Sequence, residues 1–202
     1  MLAGLRSSPA CERNIGVIGD VLCDWFADRE LILEVGAGTG QHAAHISGRL
    51  GGAQWQPTDL SPDVETIVGW AESAQASNVL APVALDVTDL QQWQQVGEPD
   101  ALFTANTLHI MPWPATEDLF GGFASIARDH ALIAVYGPFH AGGMATSESN
   151  AQFDASLRSQ SASMGIRDIE AVRAVAAAAG FVERAHYAMP ANNNILIWEL
   201  RR

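Results

Sequence analysis

Residues 31–46 read LILEVGAGTGQHAAHI, and this stretch constrains the fold more than any other. A short apolar run carrying one acid enters the glycines Gly36, Gly38 and Gly40, and a helical segment leaves them. Glycine supplies positive φ and lets a ligand approach the backbone with no side chain in the way. A strand, a glycine turn and a helix in this order open a parallel α/β sheet, in which ligands bind beyond the carboxyl ends of the strands. The same residues therefore predict a fold and the place of a site.

The rest of the chain keeps that rhythm. A helical segment is expected at 9–28, carried by Ile15, Ile18, Val21, Leu22, Trp25 and Phe26. Four more strands are expected in AQWQPTD, PVALDV, DALFTANTLHI and HALIAVYGPF, with helices between them. One helix opens at Ser61-Pro62, a start signal, and another ends at Gly180. FVERAHYAMP and NNILIWELRR have no helix between them and should pair antiparallel. The expectation is one α/β domain over 1–202, with helices on both faces of the sheet. Residues 138–165 break the rhythm: they are polar and rich in Ser, Gly, Asn and Met, and read as a lid-like insertion without regular structure of its own, apart from a short helix anchored by Phe153 and Leu157.

Charge narrows the partners. The formal net charge is −12, a field that repels phosphate backbones and anionic lipid surfaces. Neither nucleic acid nor membrane is expected as a partner, and no apolar run is long enough for a membrane helix. The opening MLAGLRSSPACERN lacks the apolar core of a signal peptide. Cys11 and Cys23 form no CxxC and read as reduced thiols, so a cytoplasmic protein is expected. The oligomeric state is open.

The glycine spacing discriminates among ligands. A dinucleotide turn has the pattern GxGxxG and rests a diphosphate on the helix N-terminus. Here the third glycine comes one residue early, and Glu34 precedes the first. An acid there suits a cationic ligand or an amino group. S-adenosylmethionine carries an ammonium, a sulfonium, a ribose and an adenine, with no phosphate. Asp59 closes the second strand, where a carboxylate can accept from ribose hydroxyls; it can equally cap the helix after Ser61. Asp86 closes the third strand and can accept the adenine amino group, with the Val87 amide beside it, or serve as a loop acid. Thr39 and Leu60 complete the expected cofactor wall.

ExGxGTGQH, WQPTDLSPD, LDV, NTLHIMPW and YGPF together resemble the class I S-adenosylmethionine-dependent methyltransferases. TSESNAQFDASLRS, GIRD and MPANNN bring the resemblance closer to one branch, the methyltransferase-like family that includes animal methyltransferase-like protein twenty-six; it runs from Pro9 nearly to the end of the chain. The resemblance implies a Rossmann-like seven-stranded sheet of order 3-2-1-4-5-7-6 with strand 7 antiparallel. It implies a methyl-donor site at Glu34, Gly36, Asp59 and Asp86, with backbone contacts from Asn106 and Thr107. The PACERN segment would lie across the cofactor and bring Arg13 and Asn14 to its carboxylate. It names no substrate.

Methyl transfer is an in-line displacement, governed mainly by alignment, and needs a base only when the acceptor must lose a proton. His109 is a candidate base, or else packs beside the cofactor. Tyr136, at the end of the fifth strand, is a second candidate, or a core tyrosine. Trp113 is expected to shape the pocket. Glu148, Asn150 and Arg158 of the insertion, Arg167 beyond it and Asn192 on the last link are candidates for substrate contact; a solvated helix face is the competing reading for the insertion. His42 and His45 stand three apart without further ligands at metal spacing, so no metal is expected. The reading is a methyltransferase acting on a small molecule. The alternatives are an S-adenosylmethionine-binding protein without transferase activity and, further off, a nicotinamide-dependent oxidoreductase.

Overall fold

A computed structural model describes residues 5–202. The first four residues of the expected domain, and the start of the segment read for a leader, lie outside the described residues.

Ser8 caps helix α1 (Pro9–Phe26) by accepting the Cys11 amide, and Pro9 occupies the first turn, where it gives up no helical hydrogen bond. Ile18, Leu22 and Phe26 recur at four-residue steps and are fully buried. The chain then alternates: β1 (Leu31–Val35), α2 (Gln41–Ile46), β2 (Gln54–Asp59), α3 (Val64–Ser73), β3 (Val83–Ala84), α4 (Leu90–Trp93), β4 (Ala101–Ala105), α5 (Trp113–Ile126) and β5 (Leu132–Gly137). After β6 (Phe139–Ala141), β7 (Met144–Ala145), α6 (Glu148–Gln160), β8 (Arg167–Asp168) and α7 (Ile169–Ala178), the chain closes with β9 (Phe181–Met189) and β10 (Asn193–Leu200).

The large sheet has the order β3-β2-β1-β4-β5-β10-β9. Counting its strands alone, this is 3-2-1-4-5-7-6, with β10 antiparallel to both β5 and β9 as expected. Alternating side chains feed two cores. Leu33, Val35, Ile133, Val135, Leu196 and Trp198 pack with α4, α5 and α7. Ile32, Leu132, Ala134, Ile195 and Ile197 pack with α1 and α2 on the other face. Strands covered on both faces read as nearly continuous apolar runs, which is why five-residue segments such as LILEV suffice to specify them.

Three local expectations need correction. The helix after β2 starts at Val64: Asp63, which accepts the Thr66 amide, is the cap, and Ser61-Pro62 stand outside. The third strand is only Val83–Ala84, so Asp86 and Val87 sit on the loop beyond it. Residues 138–165 are not irregular. They hold β6, β7 and the 13-residue α6, and β6 joins β7 and β8 in a second, three-stranded sheet. The polar composition that read as a loop belongs to a helix with Leu157 buried and most of its surface in water.

Candidate functional site

The turn after β1 is shaped by three separate demands on glycine. Gly36 has φ +76°, and a Cβ there would stand 2.5 Å from Thr107 Oγ1. Gly38 has φ +55° with open space around its missing side chain, and its amide donates to Asp59 Oδ2 at 2.9 Å. Gly40 has φ +77°, and a Cβ there would meet Ile67 of α3 at 2.9 Å. The first two face a cavity, whereas the third lets α2 and α3 pack closely.

That cavity, of about 630 Å³, lies beyond the carboxyl ends of β1, β2, β3 and β4. Gly36, Gly38, Asp59, Leu60, Asp86, Val87 and Asn106 all stand in its wall. Asp59 Oδ1 accepts the Leu60 amide at 2.8 Å, so both carboxylate oxygens are oriented by backbone. Asp86 Oδ1 accepts the amide and hydroxyl of Thr88 at 2.9 and 2.8 Å, and these two donors hold its carboxyl below the usual range. The remaining wall is largely apolar, including Leu60, 71% exposed, and Ile110, 48% exposed. Among the described residues no lysine or arginine lines it.

Asn106, at φ +58° just past β4, belongs also to the wall of a second cavity of about 850 Å³. Arg13, Asn14, His109, Tyr136, Asn150 and Asn192 stand around that one. His109 is buried, its ring edge-on to Phe153 at 5.1 Å between centroids. Burial, with Arg167 adding to it, pushes its pKa down to about 4, so it is a neutral imidazole near pH 7. Burial pushes the Tyr136 hydroxyl up, against a hydrogen bond with Asn14 and the charge of Arg13. Asn150 Nδ2 donates to Thr146 Oγ1 at 3.0 Å and to the Asn192 carbonyl at 3.1 Å, tying α6 to the β9–β10 turn.

Thr107 also stands in the first wall; Glu34, Thr39, Gly40, Trp113, Glu148, Arg158 and Arg167 are in neither. Glu34 is the first of these. It is 1% exposed, accepts Trp55 Nε1 at 2.8 Å and lies 3.8 Å from His42 Nδ1, next in sequence to Val35 of the first wall. Burial raises its pKa to about 8, with the charge of Asp59 adding and the Trp55 donation opposing, so it is protonated at neutral pH. Burial likewise lowers His42 to about 4, and the two form a neutral pair. Thr39 donates to Gln41 Oε1 at 2.9 Å, and Gly40 packs on Ile67.

Trp113 opens α5, where the Arg167 guanidinium lies 5.9 Å from its ring centroid. Arg167 donates to the carbonyls of Leu108, Met111 and Ser163, and so clamps the loop after β4. Glu148 is exposed, with Gln152 donating to it, and Arg158 pairs at 2.7 Å with Asp154, which also accepts the Ile166 amide. Sequence reasoning missed Ile110, Met111 and Met164 of the first cavity. The exposure of Ile110 beside a strand end is a signal only the folded chain provides.

The fold defines a class before any comparison: a seven-stranded doubly wound sheet with a cavity at the ends of its first four strands. Solved structures with that architecture include an O-methyltransferase family protein from Burkholderia thailandensis, with a TM-score of 0.82, 15% identity, and coverage of 95% of this chain and 57% of that one. Another is an O-methyltransferase family 2 protein from Planctomyces limnophilus in complex with apigenin: TM-score 0.75, 15% identity, coverage 93% and 62%. A third is human N-acetylserotonin methyltransferase in complex with its methyl donor: TM-score 0.71, 13% identity, coverage 93% and 55%. The chain spans a little over half the length of these structures. It belongs to the family described as "Protein of unknown function (DUF938)", whose model matches residues 5–200.

Proposed function

We propose that the chain is an S-adenosylmethionine-dependent methyltransferase acting on a small molecule, in the branch that includes methyltransferase-like protein twenty-six. One observation carries this reading: the first cavity sets two carboxylates at adjacent strand ends among apolar side chains and offers no cation to a diphosphate. The residues present fit the methyl donor. Gly38 leaves open space where a side chain would intrude, and Asp59 and Asp86 are acceptors for hydroxyl and amino groups. S-adenosylmethionine, when bound, supplies a methyl group already activated on a sulfonium. Asp59 holds the ribose, Asp86 and the Val87 amide the adenine, and Asn106 stands where the two cavities meet.

In the second cavity Arg13 and Asn14 orient the far end of the donor, His109 accepts the acceptor's proton, and Tyr136, Asn150 and Asn192 position the acceptor. Segment 138–165 supplies one wall of that cavity through Asn150 and so acts as its cover. The net charge supports a partner other than nucleic acid or a lipid surface, and the reduced-thiol reading of Cys11 and Cys23 supports a cytoplasmic setting. Among the described residues no helix is long and apolar enough to cross a membrane.

Turnover is the test. With donor labelled in its methyl group and pools of amines, thiols, phenols and carboxylic acids, label is expected in at least one pool above the enzyme-free background. S-adenosylhomocysteine binding with no labelled pool would leave a binding protein without transfer.

A further inference from the structure

The side-chain amide of Asn150 is fixed by its neighbours. Thr146 Oγ1 gives its own hydrogen to the Phe139 carbonyl at 3.1 Å, so towards Asn150 it can only accept. The Asn192 carbonyl can only accept as well. Both N–H groups of Asn150 Nδ2 are therefore spent on the chain itself, and the reverse orientation would set an oxygen against two acceptors. Asn150 is 5% exposed and stands in the wall of the second cavity, and its Oδ1 accepts from no described residue. Asn193 of the same wall repeats the pattern: its Nδ2 donates to the Pro190 and Ala191 carbonyls at 3.1 and 3.3 Å, and its Oδ1 meets no described donor. A desolvated acceptor costs stability until a donor reaches it. Phe153, 41% exposed, adds a flat apolar surface to this wall.

From this geometry we infer that Asn150 selects the methyl acceptor: the second cavity takes a flat molecule in which an N–H or O–H group, other than the atom that is methylated, donates to Asn150 Oδ1. The inference rests on the methyltransferase reading only in taking that molecule for the methyl acceptor. In that reading Arg13 and Asn14 of α1 hold the far end of the methyl donor, which leaves α6 and the β9–β10 turn to the acceptor. A molecule offering only acceptor atoms would set a lone pair against the Asn150 oxygen, and both would lose their water without replacement. The selection is by hydrogen-bond polarity and not by charge.

Two uncharged probes share a ring and its substitution pattern: resorcinol offers two O–H donors, and 1,3-dimethoxybenzene offers acceptors alone. Calorimetric titration of the full chain with each, in the presence and absence of S-adenosylhomocysteine, is expected to favour resorcinol about tenfold, the worth of one good hydrogen bond. Asn150→Leu is expected to erase that preference. Asn150→Asp gives up both N–H ties yet keeps an acceptor oxygen, and is expected to retain it, so it carries the test even where Asn150→Leu does not fold. Equal or tighter binding of 1,3-dimethoxybenzene, no binding of either probe, or a preference that survives in Asn150→Leu would each overturn the inference. Loss of the preference in Asn150→Asp would also overturn it, since a role confined to the ties predicts that result. S-adenosylhomocysteine is titrated separately. A loss of its affinity in Asn150→Leu with resorcinol binding untouched would assign Asn150 to the donor and overturn the inference. Its failure to bind the parent, with the probe preference intact, would remove the methyltransferase reading and leave the selectivity.

Discussion

Asp59→Ala is expected to weaken S-adenosylhomocysteine binding about a hundredfold, close to 3 kcal/mol, because a hydrogen bond to a charged acceptor is worth roughly 1.5–3 kcal/mol and the ribose offers two hydroxyls. Asp59→Asn keeps one acceptor oxygen and should fall between the variant and the parent. The side chain also holds the Gly38 and Leu60 amides, so part of the effect can reach the cofactor through the turn. Urea denaturation separates the two routes. A purely structural role would lower stability while leaving affinity intact in the folded fraction. Asp59 is the right place for the test because its two oxygens are already aimed by backbone, so no reorganisation dilutes the loss.

Glu34→Gln is expected to stabilise the chain at neutral pH, by roughly 3 kcal/mol at pH 7. The folded pKa, about 8, lies above the ordinary value of 4.5 because the carboxyl is buried with a single good donor. Such a group contributes stability that is complete below pH 4.5 and is lost as pH rises through 8, at about 1.4 kcal/mol per pH unit. Glutamine keeps the acceptor for Trp55 and cannot ionise. His42 and His109 act in the opposite direction: both are lowered from 6.5 to about 4, so their contribution is present above 6.5 and is lost as pH falls toward 4. The window from pH 7 to 8 therefore isolates Glu34. Urea titrations across it should show a falling stability in the parent and a flat one in Glu34→Gln; a variant less stable than the parent at pH 7.5 would mean that a charged Glu34 is worth keeping.

The sheet was legible because its information is local. Apolar runs, helical spacing and a glycine turn each specify an element, and the order of elements leaves few topologies open. The places of Asp59, which ends β2, and of Asp86, two residues past β3, in the cavity wall were legible for the same reason, since the chain leaving a strand's carboxyl end has only one region to enter. Glu34 was not. Its place one turn of the pleat before Gly36 suits a ligand contact equally well, and only the approach of Trp55 from β2 and His42 from α2 shows that it is buried. Arg167 and Trp113 are 54 residues apart, and nothing in either neighbourhood announces that they meet. Residues 138–165 misled through composition: α6 has one buried stripe around Asn150 and Leu157, too narrow to show against its polar remainder. Arg158 and Glu148 belong to that remainder, and they face water or Asp154.

The central claim concerns what the first cavity accepts. The measurement that tests it most directly is calorimetric titration of the full chain with S-adenosylhomocysteine and, in parallel, with NADH. A wall with two carboxylates and no cation predicts one S-adenosylhomocysteine site per chain and no heat with NADH. Saturable NADH binding without heat from S-adenosylhomocysteine would contradict the account.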